Sequence, residues 1–236
     1  MSQQASQSGA ETARATVAVV DYGLGNLHSV TRGLERAGAS VEVTDDPDAF
    51  TAADGVVLPG VGAFREGVEN ADPIREDLLA VAESETPLFG ICLGMQMLLT
   101  DSEEGAAGEA AVRGLDLIPG TNVRFAEGLK VPHMGWNDLT VERPHPLLTG
   151  PDDESSATQR EGGDGSVDGQ YAYFVHSYYA VPDDESAVVA TTDYGTTFPA
   201  VIADESGTVF GTQFHPEKSG ETGLQLLRNF VSLCAE

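Results

Sequence analysis

Pro87-Leu-Phe-Gly-Ile-Cys-Leu-Gly-Met-Gln-Met-Leu-Leu99 combines a buried strand, a tight turn and an apolar helix with no residues between them. The turn is Gly-x-Cys-x-Gly, and its glycines let the backbone fold sharply and leave Cys92 exposed, the geometry of a nucleophile elbow. A helix N-terminus favours the thiolate, and the backbone N–H of Leu93 is placed to stabilise an oxyanion. The stretch therefore predicts a cysteine nucleophile on an α/β fold, with a buried core cysteine as the alternative.

Short apolar runs alternate with amphipathic segments through the first half of the chain, a pattern typical of a parallel sheet covered by helices. The predicted strands of this half are 17–21, 41–43, 55–58 and 87–91, and its predicted helices are 27–37 and 74–82. The second half is richer in strands, at 122–125, 171–181, 187–191, 200–203 and 208–214, and a final helix covers 221–233. We expect an α/β fold with a central, mostly parallel sheet, helices on both faces and added antiparallel strands in the second half.

Composition limits the partners of the chain. Among 236 residues, 12 are basic and 38 are acidic, so the formal charge is −26, and binding to the nucleic-acid backbone is not expected. No run approaches the roughly 18 apolar residues of a membrane span, and two cysteines suit a reducing, cytoplasmic compartment. Only Lys130 and Lys218 are lysines, and acid is spread along the whole chain, so we expect a protein from a high-salt cytoplasm.

Two polar segments interrupt this organisation. Residues 1–15 begin with a polar stretch that lacks the apolar run of a secretory signal, and they are expected to form a disordered tail. Residues 16–236 then form one domain, in which the acidic, Gly- and Ser-rich stretch 151–169 is expected to be a surface insertion.

A second motif offers the cysteine a base. The strand predicted at 208–214 runs into His215-Pro-Glu217, and residues two apart on an extended chain point to the same side. A histidine held by a carboxylate can take and return the proton of a cysteine nucleophile. A lone surface histidine and a metal site are the alternatives. The metal site is the weaker one, because no His-x-x-x-His or Cys-x-x-Cys spacing occurs, and we expect neither a metal nor a cofactor.

Glycine-rich loops follow two of the predicted strands. Gly55-Val-Val-Leu-Pro-Gly-Val-Gly-Ala-Phe64 ends at the carboxyl edge of the sheet, where its free N–H groups could complete an oxyanion hole; an ordinary strand-to-helix turn is the alternative. Asp21-Tyr-Gly-Leu-Gly-Asn26 lacks the third glycine of Gly-x-Gly-x-x-Gly, so dinucleotide binding is not expected.

Taken together, these motifs resemble the class I, or triad, glutamine amidotransferases, which have a flavodoxin-like fold and carry a Gly-x-Cys-x-Gly-x-Gln elbow with a distant His-Pro-Glu. Within them the chain resembles most the glutaminase subunits of imidazole glycerol phosphate synthase. That narrower resemblance covers residues 16–234 and is carried by five stretches: Asp21-Tyr-Gly-Leu-Gly-Asn-Leu-His-Ser29, Pro59-Gly-Val-Gly62, Pro132-His-Met-Gly-Trp-Asn137, Tyr173-Phe-Val-His-Ser-Tyr178 and His215-Pro-Glu-Lys-Ser219.

The resemblance implies a role for each matching residue. Cys92, His215 and Glu217 would be the catalytic triad that hydrolyses glutamine to glutamate and ammonia. The residues implied in the oxyanion hole are Gly60, Val61 and Leu93, and those implied in glutamine binding are Gln96, His176, Ser177 and Tyr178.

The resemblance also implies a partner. Ammonia would pass to a (β/α)8-barrel cyclase subunit in a heterodimer, which makes imidazole glycerol phosphate and aminoimidazole carboxamide ribotide in histidine biosynthesis. The residues implied at that interface or channel are Asn26, Trp136, Tyr173 and Lys218, although Trp136 could instead be a core aromatic. Three alternatives stay open: the amidotransferase subunit of another synthase such as anthranilate or aminodeoxychorismate synthase, a catalytically dead interaction subunit, and a flavodoxin-like cysteine hydrolase.

Overall fold

The computed structural model describes residues 14–104, 112–150 and 167–235. Its strands are β1 (Thr16–Val20), β2 (Ser40–Thr44), β3 (Gly55–Gly60), β4 (Leu88–Cys92), β5 (Asp101–Ser102), β6 (Gly120–Arg124), β7 (His133–Asp138), β8 (Thr140–Val141), β9 (Tyr171–His176), β10 (Tyr178–Pro182), β11 (Val188–Asp193), β12 (Thr197–Ala203) and β13 (Val209–Thr212). Its α-helices are α1 (Leu27–Ala37), α2 (Pro47–Ala52), α3 (Phe64–Ala71), α4 (Arg75–Glu83), α5 (Leu93–Met97) and α6 (Gly220–Leu233).

An eight-stranded sheet organises the chain, in the order β2-β1-β3-β4-β13-β12-β11-β8. The first five of these strands pair in parallel, and the last three add to the edge by antiparallel pairing. Two small sheets, β10-β6-β5 and β7-β9, stand beside it. The expected mostly parallel sheet with added antiparallel strands is confirmed.

Helices cover both faces of this sheet, because successive strand residues point to opposite sides. Val17 and Val19 of β1 share one apolar core with α1 and α6. Ala18 and Val20 share the other core with α2, α3 and α4. The sheet is therefore held between two packed layers.

Local signals predicted the first half well. Helix α1 spans 27–37 as predicted, because Asn26 caps its first turn and Gly38, in the left-handed conformation, ends it. Two short helices, α2 and α3, were not predicted, and neither was β7.

One prediction in the second half is wrong. The stretch 171–181 is not one strand: it breaks at Ser177, so that β9 pairs with β7 while β10 pairs with β6. An unbroken run of strand-forming residues gives no sign that its two halves belong to different sheets.

The two polar segments lie mostly outside the described residues, at 1–13 and 151–166, and the domain limits remain a prediction. Their inner ends are packed, however. Ala15 is buried and its carbonyl accepts from the Ser40 N–H, while Val167 is buried and its N–H donates to Leu148 O. Both are apolar residues that the predicted boundaries, 1–15 and 151–169, had assigned to the polar segments.

Candidate active site

Cys92 sits at a strained turn between β4 and α5. Its φ of 55° and ψ of −105° lie outside the regions that non-glycine residues usually adopt. The turn is possible only with the neighbouring glycines: a Cβ on Gly94 would lie 1.8 Å from Leu58 O, and one on Gly90 would lie 2.7 Å from Met95 N. Close backbone packing therefore holds the cysteine in place.

The thiol of Cys92 is less accessible than the sequence suggests. The residue is 6% exposed, because Val175 O and Gln213 Nε2 each lie 3.8 Å from Sγ. The prediction of an exposed nucleophile is wrong in this respect, since strands far along the chain cover the turn.

The base predicted for Cys92 is within reach. His215 is buried and close enough to Cys92 for the two side chains to interact electrostatically, and its Nδ1 lies 3.0 Å from Glu217 Oε1. The reason given from sequence is wrong, because β13 ends at Thr212 and Glu217 lies in a 3-10 turn, Pro216–Lys218, rather than on an extended strand. That turn, which His215 precedes, brings the carboxylate back to the ring.

Electrostatics keep this histidine protonated. Burial alone would lower the pKa of His215, but the hydrogen bonds with Cys92 and Glu217 and the charges of both partners raise it to about 9. The Glu217 side chain is 1% exposed and lies 3.9 Å from Lys218 Nζ. At neutral pH the arrangement is an imidazolium between a cysteine and a carboxylate.

The loop predicted to stabilise an oxyanion lies beside the nucleophile. Gly60 pairs with Cys92 in the register of β3 and β4, and Leu93, the first residue of α5, is buried next to it. A Cβ on Gly60 would lie 2.8 Å from Leu93 Cβ, so only glycine allows this approach. Val61 follows the strand and is 39% exposed. The structure thus brings all three residues to the edge that holds Cys92.

Gln96 lies one turn after Cys92, and its side-chain amide is turned inward. It is 6% exposed, and its Nε2 donates to Tyr178 O at 2.9 Å and to Gln213 Oε1 at 3.1 Å. Tyr178 O also accepts from His176 Nδ1 at 2.8 Å. One backbone carbonyl therefore joins two of the residues predicted to bind glutamine.

The His176 ring is used inside the protein. Its Nε2 lies 3.1 Å from His133 Nδ1, and burial, only partly opposed by the hydrogen bond to Tyr178 O, lowers the pKa of His176 to about 3. Burial also lowers the pKa of His133 to about 4. Both rings are neutral at pH 7, and they pack among aromatic rings. Ser177 and Tyr178 are half-buried at the break between β9 and β10.

Sequence reasoning missed three side chains at this site. The Tyr22 hydroxyl donates to Pro59 O at 2.7 Å, and Glu104 Oε2 accepts from the Phe64 N–H at 2.6 Å, so the two fix both ends of the glycine-rich loop. Gln213 contacts both Cys92 and Gln96. Its spacing of two from His215 was a signal that could have found it, whereas Tyr22 and Glu104 act across 37 and 40 residues of sequence.

Residues assigned to an interface lie outside the triad. Trp136 on β7 is 52% exposed and meets the ring of Tyr173 on β9 edge to face, at 5.7 Å. The alternative of a core aromatic is therefore wrong for Trp136. Lys218 is 36% exposed at its side chain, next to Glu217. Asn26 accepts from the Ser29 N–H as the cap of α1.

Two kinds of feature are absent from the described part of the chain. None of its helices is long and apolar enough to cross a membrane. In ranges 14–104, 112–150 and 167–235, no three His, Cys, Asp or Glu side chains group as metal ligands.

Comparison with solved structures matches this fold to glutamine amidotransferases. A chain of the PurLQS structure from Thermotoga maritima gives a TM-score of 0.69 at 20% identity, covering 93% of this chain and 99% of that one. A crystal structure of a glutamine amidotransferase gives 0.66 at 21% identity, with the same coverage. At such identities the likeness concerns the fold alone.

Sequence comparisons are more specific. The family model for glutamine amidotransferase class-I matches residues 18–234. Imidazole glycerol phosphate synthase subunit HisH of Haloarcula marismortui is 66% identical, covering 94% of this chain and 97% of the relative. The subunit of the same name from Natronomonas pharaonis is also 66% identical, covering 94% and 96%, and that from Halobacterium salinarum is 62% identical, covering 94% and 95%.

These three relatives come from halophilic archaea, in keeping with the composition expected of a high-salt protein. The family model spans nearly all of the chain, and the relatives match it along almost their whole length. The chain therefore belongs to the class I glutamine amidotransferases, in the family of the HisH subunits of imidazole glycerol phosphate synthase.

Proposed function

We propose that this chain is the glutaminase subunit of imidazole glycerol phosphate synthase, which hydrolyses glutamine to glutamate and ammonia. One observation carries the proposal: the buried ring of His215 interacts electrostatically with Cys92 and is hydrogen-bonded through Nδ1 to Glu217. A nucleophile, a base and an orienting carboxylate are the three groups that acyl transfer needs.

In the first half-reaction, the Cys92 thiolate attacks the side-chain carbonyl carbon of glutamine. Backbone N–H groups of Leu93 and of the Gly60 to Val61 segment stabilise the oxyanion that forms. The carbon–nitrogen bond then breaks, and the His215 imidazolium gives its proton to the departing nitrogen. Ammonia leaves, and a thioester remains on Cys92.

In the second half-reaction, the neutral His215 takes a proton from water as the water attacks the thioester. Collapse of the intermediate releases glutamate and returns the thiolate, with His215 again protonated. Glu217 holds the His215 ring in the tautomer and orientation that these proton transfers need, and it stabilises the imidazolium.

Glutamine binding is proposed beside Cys92, where α5 meets the break between β9 and β10. Gln96 from the helix, and His176, Ser177 and Tyr178 from the break, would make the contacts. The inward hydrogen bonds of Gln96 and His176 support roles that use their remaining atoms: the Gln96 side-chain oxygen and the backbone at 176–178.

Ammonia is proposed to pass to the cyclase subunit, a (β/α)8 barrel that forms a heterodimer with this chain. The cyclase then uses ammonia to make imidazole glycerol phosphate and aminoimidazole carboxamide ribotide. The exposed rings of Trp136 and Tyr171 and the exposed Met134 support a protein contact on the β7-β9 sheet. We place Asn26, Trp136, Tyr173 and Lys218 at this interface, and the complex in a reducing cytoplasm.

A glutamate-release assay tests the function. We expect the parent chain, mixed with the cyclase subunit and its nucleotide in molar KCl, to release glutamate, and Cys92→Ala to lose about a thousandfold or more in rate. Cys234→Ala is the matched control, because Cys234 is also buried but lies at the end of α6, away from the site. A Cys92→Ala chain as fast as the parent would refute the mechanism, and activity independent of the cyclase would refute the coupling.

A further inference from the structure

Gln213 is a buried polar side chain that the proposed mechanism does not use. It follows β13 directly, is 0% exposed, and its backbone N–H donates to Ala200 O at 2.9 Å. Phe214, the next residue, packs in the core, while Gln213 Nε2 lies 3.8 Å from Cys92 Sγ. Gln213 and His215 therefore reach the nucleophile from the same segment.

Hydrogen bonds fix which way the Gln213 amide points. Tyr178 O is a backbone carbonyl and can only accept, so Gln96 must turn its Nε2 toward it. The second hydrogen of Gln96 Nε2 then points to Gln213, which must present its Oε1 at 3.1 Å. With its oxygen used in this way, Gln213 directs its Nε2 at Cys92 Sγ, 3.8 Å away.

The same hydrogen bonds determine which atom of the Gln96 side-chain amide is left for a ligand. Both hydrogens of its amide nitrogen are used inside the protein, and no residue in the described part of the chain donates to its Oε1. That oxygen is also absent from the buried atoms without partners, so it retains some access. Gln96 thus offers an acceptor, and not a donor, to whatever binds beside Cys92.

We propose that Gln213 is a positioning residue with two roles. Its side-chain oxygen holds Gln96 so that the Gln96 oxygen faces glutamine, and its side-chain N–H faces the Cys92 sulfur. Only the first role rests on the proposed function. The second role concerns the cysteine alone, because a hydrogen bond from the amide stabilises the thiolate more than the thiol.

Gln213→Met is the principal test, because methionine keeps the length and volume of glutamine but has no amide. In the complex with the cyclase subunit, we expect the KM for glutamine to rise about tenfold and kcat to fall about fivefold. A packing role would be filled by methionine and would move neither value. Gln225→Met, the same change on α6 where Gln225 bonds Asn229, is the matched control and should keep the parent values.

The second role, the contact with Cys92, is measured without glutamine or a partner by alkylating Cys92 with iodoacetamide and analysing the peptides by mass spectrometry. We expect the pH at which Cys92 reacts at half its maximal rate to rise by about one unit in Gln213→Met. Cys234 does not interfere, because burial and the charge of Asp54 raise its pKa to about 12. Glutaminase activity missing from the parent chain would refute the proposed function but leave this measurement intact.

Gln213→Leu is a second variant, because leucine is apolar and smaller than methionine. We expect the same directions of change, a higher KM for glutamine and an alkylation profile moved to higher pH. Parent-like KM, kcat and alkylation in Gln213→Met would overturn the proposal. If that variant does not fold, an unchanged alkylation profile in Gln213→Leu would overturn it instead.

Discussion

The elbow at Cys92 and the loop at Gly60 to Ala63 lie side by side but are held in different ways. At the elbow there is no spare volume, since a Cβ on Gly94 would lie 1.8 Å from Leu58 O. In the loop, the nearest atom to a Cβ on Gly62 would be Glu66 Oε2, at 3.6 Å, and Val61 is 39% exposed. The nucleophile is enclosed by backbone, whereas the middle of the loop borders open space.

Hydrogen bonds hold the two residues that flank the loop. Tyr22 holds the Pro59 carbonyl before it, and Glu104 holds the Phe64 N–H after it. Gly60, at the start of the loop, is packed against the elbow through Leu93, whereas Gly62 and Val61 have space around them. The site therefore joins a tightly packed nucleophile to a loop whose middle is exposed.

The largest difference between the elbow and the loop should be the loss of stability when one glycine in each is changed to alanine. Gly94→Ala forces a methyl into the Leu58 backbone, so we expect the free energy of unfolding to fall by about 3 kcal/mol. Gly62→Ala has space and suffers only from its φ of 115°, which costs about 1 kcal/mol. Urea denaturation measures both, and equal losses would contradict the comparison.

A smaller effect should follow from removing the charge that supports the base. Burial lowers the pKa of His215, and Cys92 and Glu217 raise it to about 9, so Glu217→Gln should move it downward. The proton needed for ammonia to leave is then lost at lower pH. We expect the alkaline limb of kcat to shift to lower pH and kcat at pH 8 to fall about a hundredfold.

Glu221→Gln is the control for this change, because Glu221 is exposed in the first turn of α6. An alkaline limb in Glu217→Gln that coincides with that of the parent would mean that another group holds the His215 proton.

The smallest effect should come from freeing one end of the loop. Tyr22→Phe removes the donor to Pro59 O, and we expect kcat to fall about fivefold with KM unchanged. Alkylation of Cys92, which needs no oxyanion, should change less than about twofold. Tyr194→Phe also removes a hydroxyl bond to a carbonyl, that of Lys130, and should behave as the parent. Equal changes in turnover and alkylation would show that the loop and elbow are not independent.

Features within a short stretch were predictable from sequence, and those that depend on distant pairing were not. The limits of α1 follow from Asn26 and Gly38, and the elbow follows from glycines two residues either side of the cysteine. The bond from Gln96 to Gln213 spans 117 residues. No local pattern specifies such a contact, because it depends on how β4 and β13 align in the sheet.

The ion pair of Lys218 with Glu217 has a practical consequence for chemical labelling. The chain has only two lysine side chains, so an amine-selective acylating probe gives two side-chain products. Lys130 is exposed, and it serves as an internal reference. The ratio of label at Lys218 to label at Lys130 then reports on the surroundings of the triad, without any added cysteine or genetic tag.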